Sequence, residues 1–196
     1  MMTRRNTRTP VHLHPAEIQE LPFIEIRAIL RGADPLIGSG GRTMLVKLLR
    51  GSREKKVLEL GLDEVPVYGI FHDLSEEGVL EKIDWLITHH YLQYFYDGRL
   101  PLLEFAPAGW EIERQTYAEE LFAKLTVAME SGNISLDMIF LKDRNREIIW
   151  LLLDILATRG DARYIPFLES WERIEYKKVR SHIRWAMQQI RARTPL

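Results

Sequence analysis

The chain has 196 residues, 46% of them hydrophobic, so it can bury the core of one large domain or of two small ones. Its 27 Lys and Arg residues nearly balance its 28 Asp and Glu residues, which excludes a surface that is basic throughout and confines any nucleic-acid contact to a local patch. The lack of cysteine excludes disulfides and thiolate metal sites, and no apolar run is long enough for a membrane span, so we expect a cytoplasmic protein.

The first segment, residues 1–20, begins with an Arg- and Thr-rich stretch that includes Arg4, Arg5 and Arg8. No apolar stretch follows these residues, as a secretory signal would require. We expect a basic, disordered arm, and such arms often lie along phosphates. A short organelle-targeting segment is the alternative interpretation.

Residues 21–112 are predicted to form a winged helix, in which helices are followed by a β-hairpin. Apolar residues at helical spacing indicate four helices, with Ser52 and Ser75 as the N-caps of the third and the fourth. Asp97-Gly98 separates two alternating segments and is a strong hairpin signal, while Pro101 places the second strand at an edge. The predicted helices cover residues 21–31, 42–50, 53–60 and 75–87, an extended segment covers 65–70, and the strands cover 91–96 and 99–105.

The remainder of the chain is predicted to be helical. Residues 113–134 contain a connecting helix that begins near residue 116, and residues 135–196 form a small helical domain with short loops, which predict antiparallel neighbours. We expect Trp171 and Trp185 in its core, and their exposure would instead mark a surface that contacts a partner. The predicted helices of this domain cover residues 145–159, 162–171 and 176–193.

Basic residues are concentrated between positions 42 and 56, where six of them face one acidic residue and give a local charge of +5. The turn Arg50-Gly51-Ser52 lies at the predicted start of a helix, where backbone N–H groups, a hydroxyl and guanidinium groups together bind phosphate well. From charge alone, a solvated basic helix face is an equally good interpretation. The six basic residues are Arg42, Lys47, Arg50, Arg53, Lys55 and Lys56.

Three stretches share their order and spacing with a known domain. Residues 49–61 combine the basic turn with a short helix, residues 67–75 carry an aromatic-Gly pair before a polar stretch, and residues 86–92 end a helix at the wing. Together they resemble the RQC domain, the winged helix that follows the motor of RecQ-type DNA helicases. This resemblance implies duplex-DNA binding by the Arg-Gly-Ser turn and the next helix, with Arg50, Ser52 and Lys56 at phosphate-contacting positions.

The chain departs from this family in three respects. Residues 38–43 lack the lysine and the spacing of a P-loop, so no helicase motor is indicated, and the cysteine-bound zinc module that precedes many RQC domains is absent. In some relatives an aromatic wing tip separates the duplex, whereas here Tyr96 is set back on the strand before Arg99. Tyr96 either stacks on a terminal base pair or packs with Tyr94 on the sheet. We therefore expect a duplex to be held and not opened.

The C-terminal helices resemble HEAT-type repeats. Residues 160–168 are similar to the turn and first helix of such a repeat, and residues from Lys178 onward are similar to the start of its second helix. So short an array cannot bury both of its faces alone, so it must pack against the rest of the chain or a partner.

These observations favour a mainly α protein that binds nucleic acid without catalysis, metal or cofactor. His72 and Asp73 share a loop, but no serine or cysteine nearby completes a nucleophilic arrangement. A protein-interaction module that uses the winged helix and the HEAT-like helices, or binding of structured RNA by the same basic turn, are the alternatives. The predicted binding residues are Arg50, Gly51, Ser52, Arg53, Lys55, Lys56, Arg42, Lys47, Tyr96 and Arg99.

Overall fold

The structure, a computed structural model, describes residues 9–132 and 136–193. The chain divides into two compact units, Met1–Glu113 and Arg114–Leu196. The first unit contains helices followed by a two-stranded hairpin, and the second is helical, which confirms the predicted mainly α fold with a winged helix. Among the described residues, no helix has both the length and the hydrophobicity needed to cross a bilayer.

Four α-helices precede the hairpin in the first unit: α1 (Phe23–Ala33), α2 (Arg42–Arg50), α3 (Lys55–Glu59) and α4 (Glu76–Thr88). In α2 and α4 the apolar residues recur at helical spacing and turn one face inward, whereas residues 28–33 of α1 are all buried. The helices contribute to one shared core, which also includes two residues of the hairpin. The core includes Ile29, Leu30, Leu45, Leu48, Leu49, Val57, Ile83, Leu86 and Leu103.

The start of α4 confirms its predicted cap, because the backbone N–H of Gly78 donates to Ser75 Oγ over 3.0 Å. The predicted cap of α3 is wrong. This helix begins at Lys55, and Glu54 occupies its N-cap position without a side-chain hydrogen bond. The backbone N–H of Ser52 is instead bonded to the carbonyl of Lys47 at 2.9 Å, so Ser52 still belongs to the end of α2.

The predicted extended segment at 65–70 is also wrong, because these residues form consecutive turns. The backbone N–H of Tyr68 donates to the carbonyl of Val65 at 2.9 Å, and that of Gly69 donates to the carbonyl of Leu48 at 3.0 Å. This segment is therefore held by its own turns and by the end of α2, and not by a neighbouring strand.

The hairpin consists of β1 (Leu92–Asp97) and β2 (Leu100–Phe105), which pair antiparallel. Asp97 lies opposite Leu100, so the two loop residues are Gly98 and Arg99, one position later than predicted. The loop before α2 extends the pairing, since Leu103 donates to the carbonyl of Gly40 at 2.9 Å. The wing is thereby fixed against the start of α2.

The described part of the N-terminal arm, residues 9–20, forms hydrogen bonds with the loop of the wing and with α4. The backbone N–H of Thr9 donates to the carbonyl of Arg99 at 3.2 Å, and that of His14 donates to Asp84 Oδ2 at 2.8 Å. The arginines predicted to make the arm basic, at positions 4, 5 and 8, lie outside the described residues.

Helix α5 (Pro107–Glu130) begins in the first unit and continues into the second. The second unit also contains α6 (Arg146–Arg159), α7 (Ile165–Ile174) and α8 (Lys177–Arg193). Helix α5 begins at Pro107 and not near residue 116, because proline is favoured in the first turn and follows β2 almost directly. Helix α8 packs on α6 and α7. Trp171 is fully buried, as expected, whereas Trp185 is exposed.

Candidate nucleic-acid interface

The turn between α2 and α3 has a backbone that only glycine adopts readily. Gly51 ends α2 in the left-handed region, with φ of 72°. Its backbone N–H donates to the carbonyl of Leu48 at 3.0 Å, in a pattern typical of helix ends. A Cβ atom at this position would lie 3.1 Å from the Cα atom of Gly69, so the backbones of the two turns are in direct contact. This packing sets where the residues after Gly51 emerge.

Ser52 is held in this turn through its backbone and keeps a hydroxyl hydrogen to donate. The phenol of Tyr68 donates to the carbonyl of Ser52 at 3.0 Å, and Ser52 Oγ accepts from the backbone N–H of Glu54 at 3.3 Å. Since Oγ acts here as an acceptor, its own hydrogen can be directed to a ligand. Ser52 thus presents a donor at the turn although it does not cap α3.

Basic side chains extend into solvent directly after this turn. Arg53, Lys55 and Lys56 are all exposed. Lys55 Nζ lies 3.4 Å from Glu59 Oε1, an exposed pair that stabilises little. Arg53 and Lys56 form no ion pair with any residue in 9–132 or 136–193. Their charges are therefore free to meet an anionic ligand without breaking an internal contact.

Two further cations at the end of α2 are partly engaged. Lys47 Nζ lies 2.6 Å from Glu54 Oε2. Arg50 Nε donates to the carbonyl of Leu74 at 2.8 Å, and its Nη1 lies 3.4 Å from Glu76 Oε1. The bond to the carbonyl orients the guanidinium of Arg50 and leaves its charge uncompensated by that contact.

Arg42 is placed differently from the other predicted site residues. Its Nη1 atom lies 2.6 and 2.7 Å from the two carboxylate oxygens of Asp84, a residue of α4 that is only 1% exposed. Its Nη2 atom donates to the carbonyl of His12 at 2.9 Å. The same carboxylate accepts the backbone N–H of His14, so Arg42 and Asp84 together tie the N-terminal segment to α2 and α4.

Tyr94 lies beside this buried ion pair. Burial raises the pKa of Tyr94 to about 12, while the charge of Arg42 acts to lower it and that of Asp84 to raise it. The phenol oxygen is buried and forms no hydrogen bond with the described part of the chain. The inner side of the wing is therefore a low-dielectric region, unlike the solvated α3.

The basic helix and the wing lie side by side. A cleft of about 440 Å³ is lined by Lys56 of α3, by Leu60 directly after α3, and by residues 100–102 of β2. The geometry thus brings Lys56 and the wing to one surface.

The RQC domain model matches residues 24–125, more than half of the chain. The chain belongs to the RQC family. Over 69 residues it is 35% identical to the ATP-dependent DNA helicase RecQ of Bacillus subtilis (strain 168), and the aligned part is 35% of this chain but 12% of that helicase. The comparison with solved structures found no match.

Within this RQC domain, the turn and α3 bring together six predicted site residues, and Lys47 lies beside them. Arg99 lies in the loop of the wing, and Arg42 lies in the buried pair with Asp84. The phenol of Tyr96 is directed to the carbonyl of Thr9 at 3.4 Å, and its side chain is half-buried. The six residues are Arg50, Gly51, Ser52, Arg53, Lys55 and Lys56.

The exposed aromatic residue of the wing is Phe95, which the sequence analysis missed. Its side chain is 51% exposed, and it points to the face of the hairpin opposite Leu92 and Tyr94. Residues alternate between the two faces of a strand, so a buried Leu92 places Tyr94 and Tyr96 inward and Phe95 outward. The alternation of the strand was the signal that could have identified it.

Proposed function

We propose that this RQC domain binds duplex DNA through the phosphate backbone, without catalysing a reaction. Membership of the RQC family supports a nucleic-acid-binding role. The observation that carries the proposal is the pair Arg53 and Lys56, two exposed cations without an ion pair in the described chain, one of which borders the wing. Arg50 and Ser52 supply a guanidinium and a hydroxyl at the preceding turn.

The composition of α3 favours contact with the backbone over reading of bases. In the major groove, Arg or Lys reads guanine and Asn or Gln reads adenine, whereas phosphates accept any cation or N–H donor. Helix α3 contains two lysines and no Asn or Gln. We therefore expect binding that depends on the shape and charge of the duplex and only weakly on its sequence.

The remaining predicted residues take smaller roles in this proposal. The charges of Lys47 and Lys55 are partly neutralised by ion pairs with Glu54 and Glu59, so each contributes less to DNA affinity than Arg53 does. On the wing, Arg99 adds charge at the loop, whereas Tyr96 lies on the inner face of the hairpin with its ring centroid 6.4 Å from that of Tyr94 and takes no part in the contacts. Arg42 is left out of the contacts, because its guanidinium is bonded to Asp84.

The test is a band-shift panel with the full chain, using blunt DNA duplex, double-stranded RNA, forked DNA and single-stranded DNA at several salt concentrations. Contact with four or five phosphates predicts a log–log slope of affinity against salt of about −4 on duplex DNA. Blunt and forked DNA should bind equally if the protein holds a duplex without opening it. A slope near zero would contradict the proposal. Preference for double-stranded RNA would show that the ligand is structured RNA and not DNA.

A further inference from the structure

The cleft between α3 and the wing has a strongly apolar lining. It is formed by the loop that precedes α2, by the end of α3 with the short helix after it, and by strand β2. Its volume of about 440 Å³ is sufficient for one or two bulky side chains. The lining includes the apolar residues Leu36, Met44, Leu60, Leu62, Leu100 and Leu102.

Some of the apolar side chains that line the cleft are strongly exposed to solvent. Leu60 is 54% exposed and Leu100 is 62% exposed, and both line the cleft. Leu58, also exposed, lies two residues before Leu60 on α3. Exposed apolar residues that cluster around a depression indicate a surface that a partner covers.

The charge around the cleft is positive at two points. Lys56 lines one side and has no ion pair among the described residues. At the other side, Gly41 is the N-cap of α2 and provides no side chain to accept from the first N–H groups of that helix. A carboxylate is favoured at such an uncapped, partially positive helix start. The described lining contains no acidic residue that could fill this role.

The lining argues against a nucleobase as the occupant. A base is held by stacking on an aromatic ring and by hydrogen bonds to its edges. The described lining has no aromatic residue and no Asn or Gln, and Ser39 supplies its one hydroxyl side chain. A leucine- and methionine-lined depression instead suits aliphatic or phenylalanine side chains, as in helix-in-groove recognition.

We propose that the cleft binds an acidic amphipathic peptide segment of another protein. One or two of its bulky apolar side chains enter between Leu60 and Leu100, one carboxylate contacts Lys56, and a second lies at the uncapped start of α2. Since Lys56 also belongs to the proposed phosphate contacts, peptide and duplex compete. The competition rests on the proposed function, whereas the binding of the peptide does not.

The probe is a 14-residue capped peptide of Glu and Ala with leucines at i, i+3, i+4 and i+7, compared with a peptide of the same composition in scrambled order. Binding to the full chain is measured by fluorescence anisotropy. We expect the patterned peptide to bind at least about tenfold more tightly than the scrambled one, because only it presents a continuous apolar face. Equal binding of the two peptides, or no binding of either, would overturn the proposal.

The site is tested with the double variant Leu60→Ala, Leu100→Ala and with Lys56→Gln. Both leucines are exposed, so the variant should fold as the parent does. It should weaken the patterned peptide by about tenfold or more through loss of apolar contact area. The matched control is Val127→Ala, Ile139→Ala, which removes two equally exposed apolar side chains from the second unit and should leave the affinity unchanged.

Duplex DNA separates this inference from the proposed function. The leucine variant should retain duplex binding within about twofold, whereas Lys56→Gln should weaken both ligands. Peptide binding without duplex binding would reject the proposed function and leave the cleft assignment standing. Loss of single-stranded DNA binding in the leucine variant, with peptide affinity unchanged, would show that the cleft holds a base and would overturn the assignment.

Discussion

Two basic segments of the molecule have similar charge and different surroundings. Residues 42–56 carry six basic residues, and α8 carries six within seventeen residues. In α8, Arg184 Nε lies 2.5 Å from Glu172 Oε1, and Arg191 Nη2 lies 3.1 Å from Glu169 Oε1. Both glutamates belong to α7 and also border Arg180. Acidic residues of the neighbouring helix therefore compensate two of the six cations of α8.

The first segment shows that charge density does not by itself identify a binding residue. Arg42 and Arg53 are equally basic in the sequence, but one is bonded to a buried carboxylate and the other is exposed without an ion pair in the described chain. A cation committed to an internal contact contributes to folding, whereas an uncommitted one can contribute to binding.

Replacement of Arg42 should change the free energy of unfolding most. Arg42→Met leaves Asp84 buried and without its counter-ion, and removing one partner of a buried pair costs about 3 kcal/mol or more. Arg53→Met, at an exposed position, should change the free energy of unfolding by less than about 0.5 kcal/mol. Urea denaturation of both variants measures this difference. Equal stability of the two would show that Arg42 is not committed to the fold.

Substitution of Gly51, in the turn between α2 and α3, should have an intermediate effect on stability. Gly51→Ala places a Cβ atom in the left-handed region, where it would lie 3.1 Å from the Cα atom of Gly69, and we expect a cost of about 2 kcal/mol. Gly61→Ala is the matched control, since Gly61 has a similar φ but no atom within 4 Å of the added Cβ. It should cost about 1 kcal/mol, and thermal unfolding of both variants measures the contrast. If Gly61→Ala were the costlier change, the contact between the two turns would not shape this region.

The smallest effect concerns the tyrosine beside the buried ion pair. Because burial raises the pKa of Tyr94 from its ordinary value of 10.0 to about 12, the folded state holds the phenol proton more tightly than the unfolded state. The resulting stability is fully present below pH 10 and is lost as the pH rises towards 12. After allowance for solvent, we expect this loss to be about 1 kcal/mol. Tyr94→Phe should remove it, as measured by denaturation between pH 9 and 12, and an unchanged pH profile would contradict this origin.

Local patterns were sufficient to predict much of the fold. The extent of α2 and the cap of α4 follow from residues within one or two turns of each other, and the hairpin follows from alternation on either side of Asp97-Gly98. The start of α3 could not be predicted in this way, because Ser52 is bonded back to Lys47 and continues the end of α2. Favourable capping residues compete with such contacts, and sequence alone does not decide between them.

The proximity of the basic residues around the turn could be predicted from the sequence, but the surroundings of each residue could not. Arg42 and Asp84 are separated by 42 positions and meet only after α2 and α4 pack together. The exposure of Phe95 depends on which face of β1 is buried, and this follows from the contact of Leu92 with the core. The adjacency of Lys56 to the wing likewise arises from packing, since these residues lie in different parts of the sequence.

The most direct test of the account is a comparison of charge reversals in the two basic segments. Arg53→Glu, Lys56→Glu is compared with Lys178→Glu, Arg180→Glu, which changes the net charge equally at exposed positions of α8. We measure the Kd for a blunt DNA duplex at a fixed, moderate salt concentration. If Arg53 and Lys56 hold the duplex, the first variant raises Kd by about two orders of magnitude and the second by less than about twofold. Equal losses in both variants, or retention of full affinity by the first, would contradict this role of the two residues.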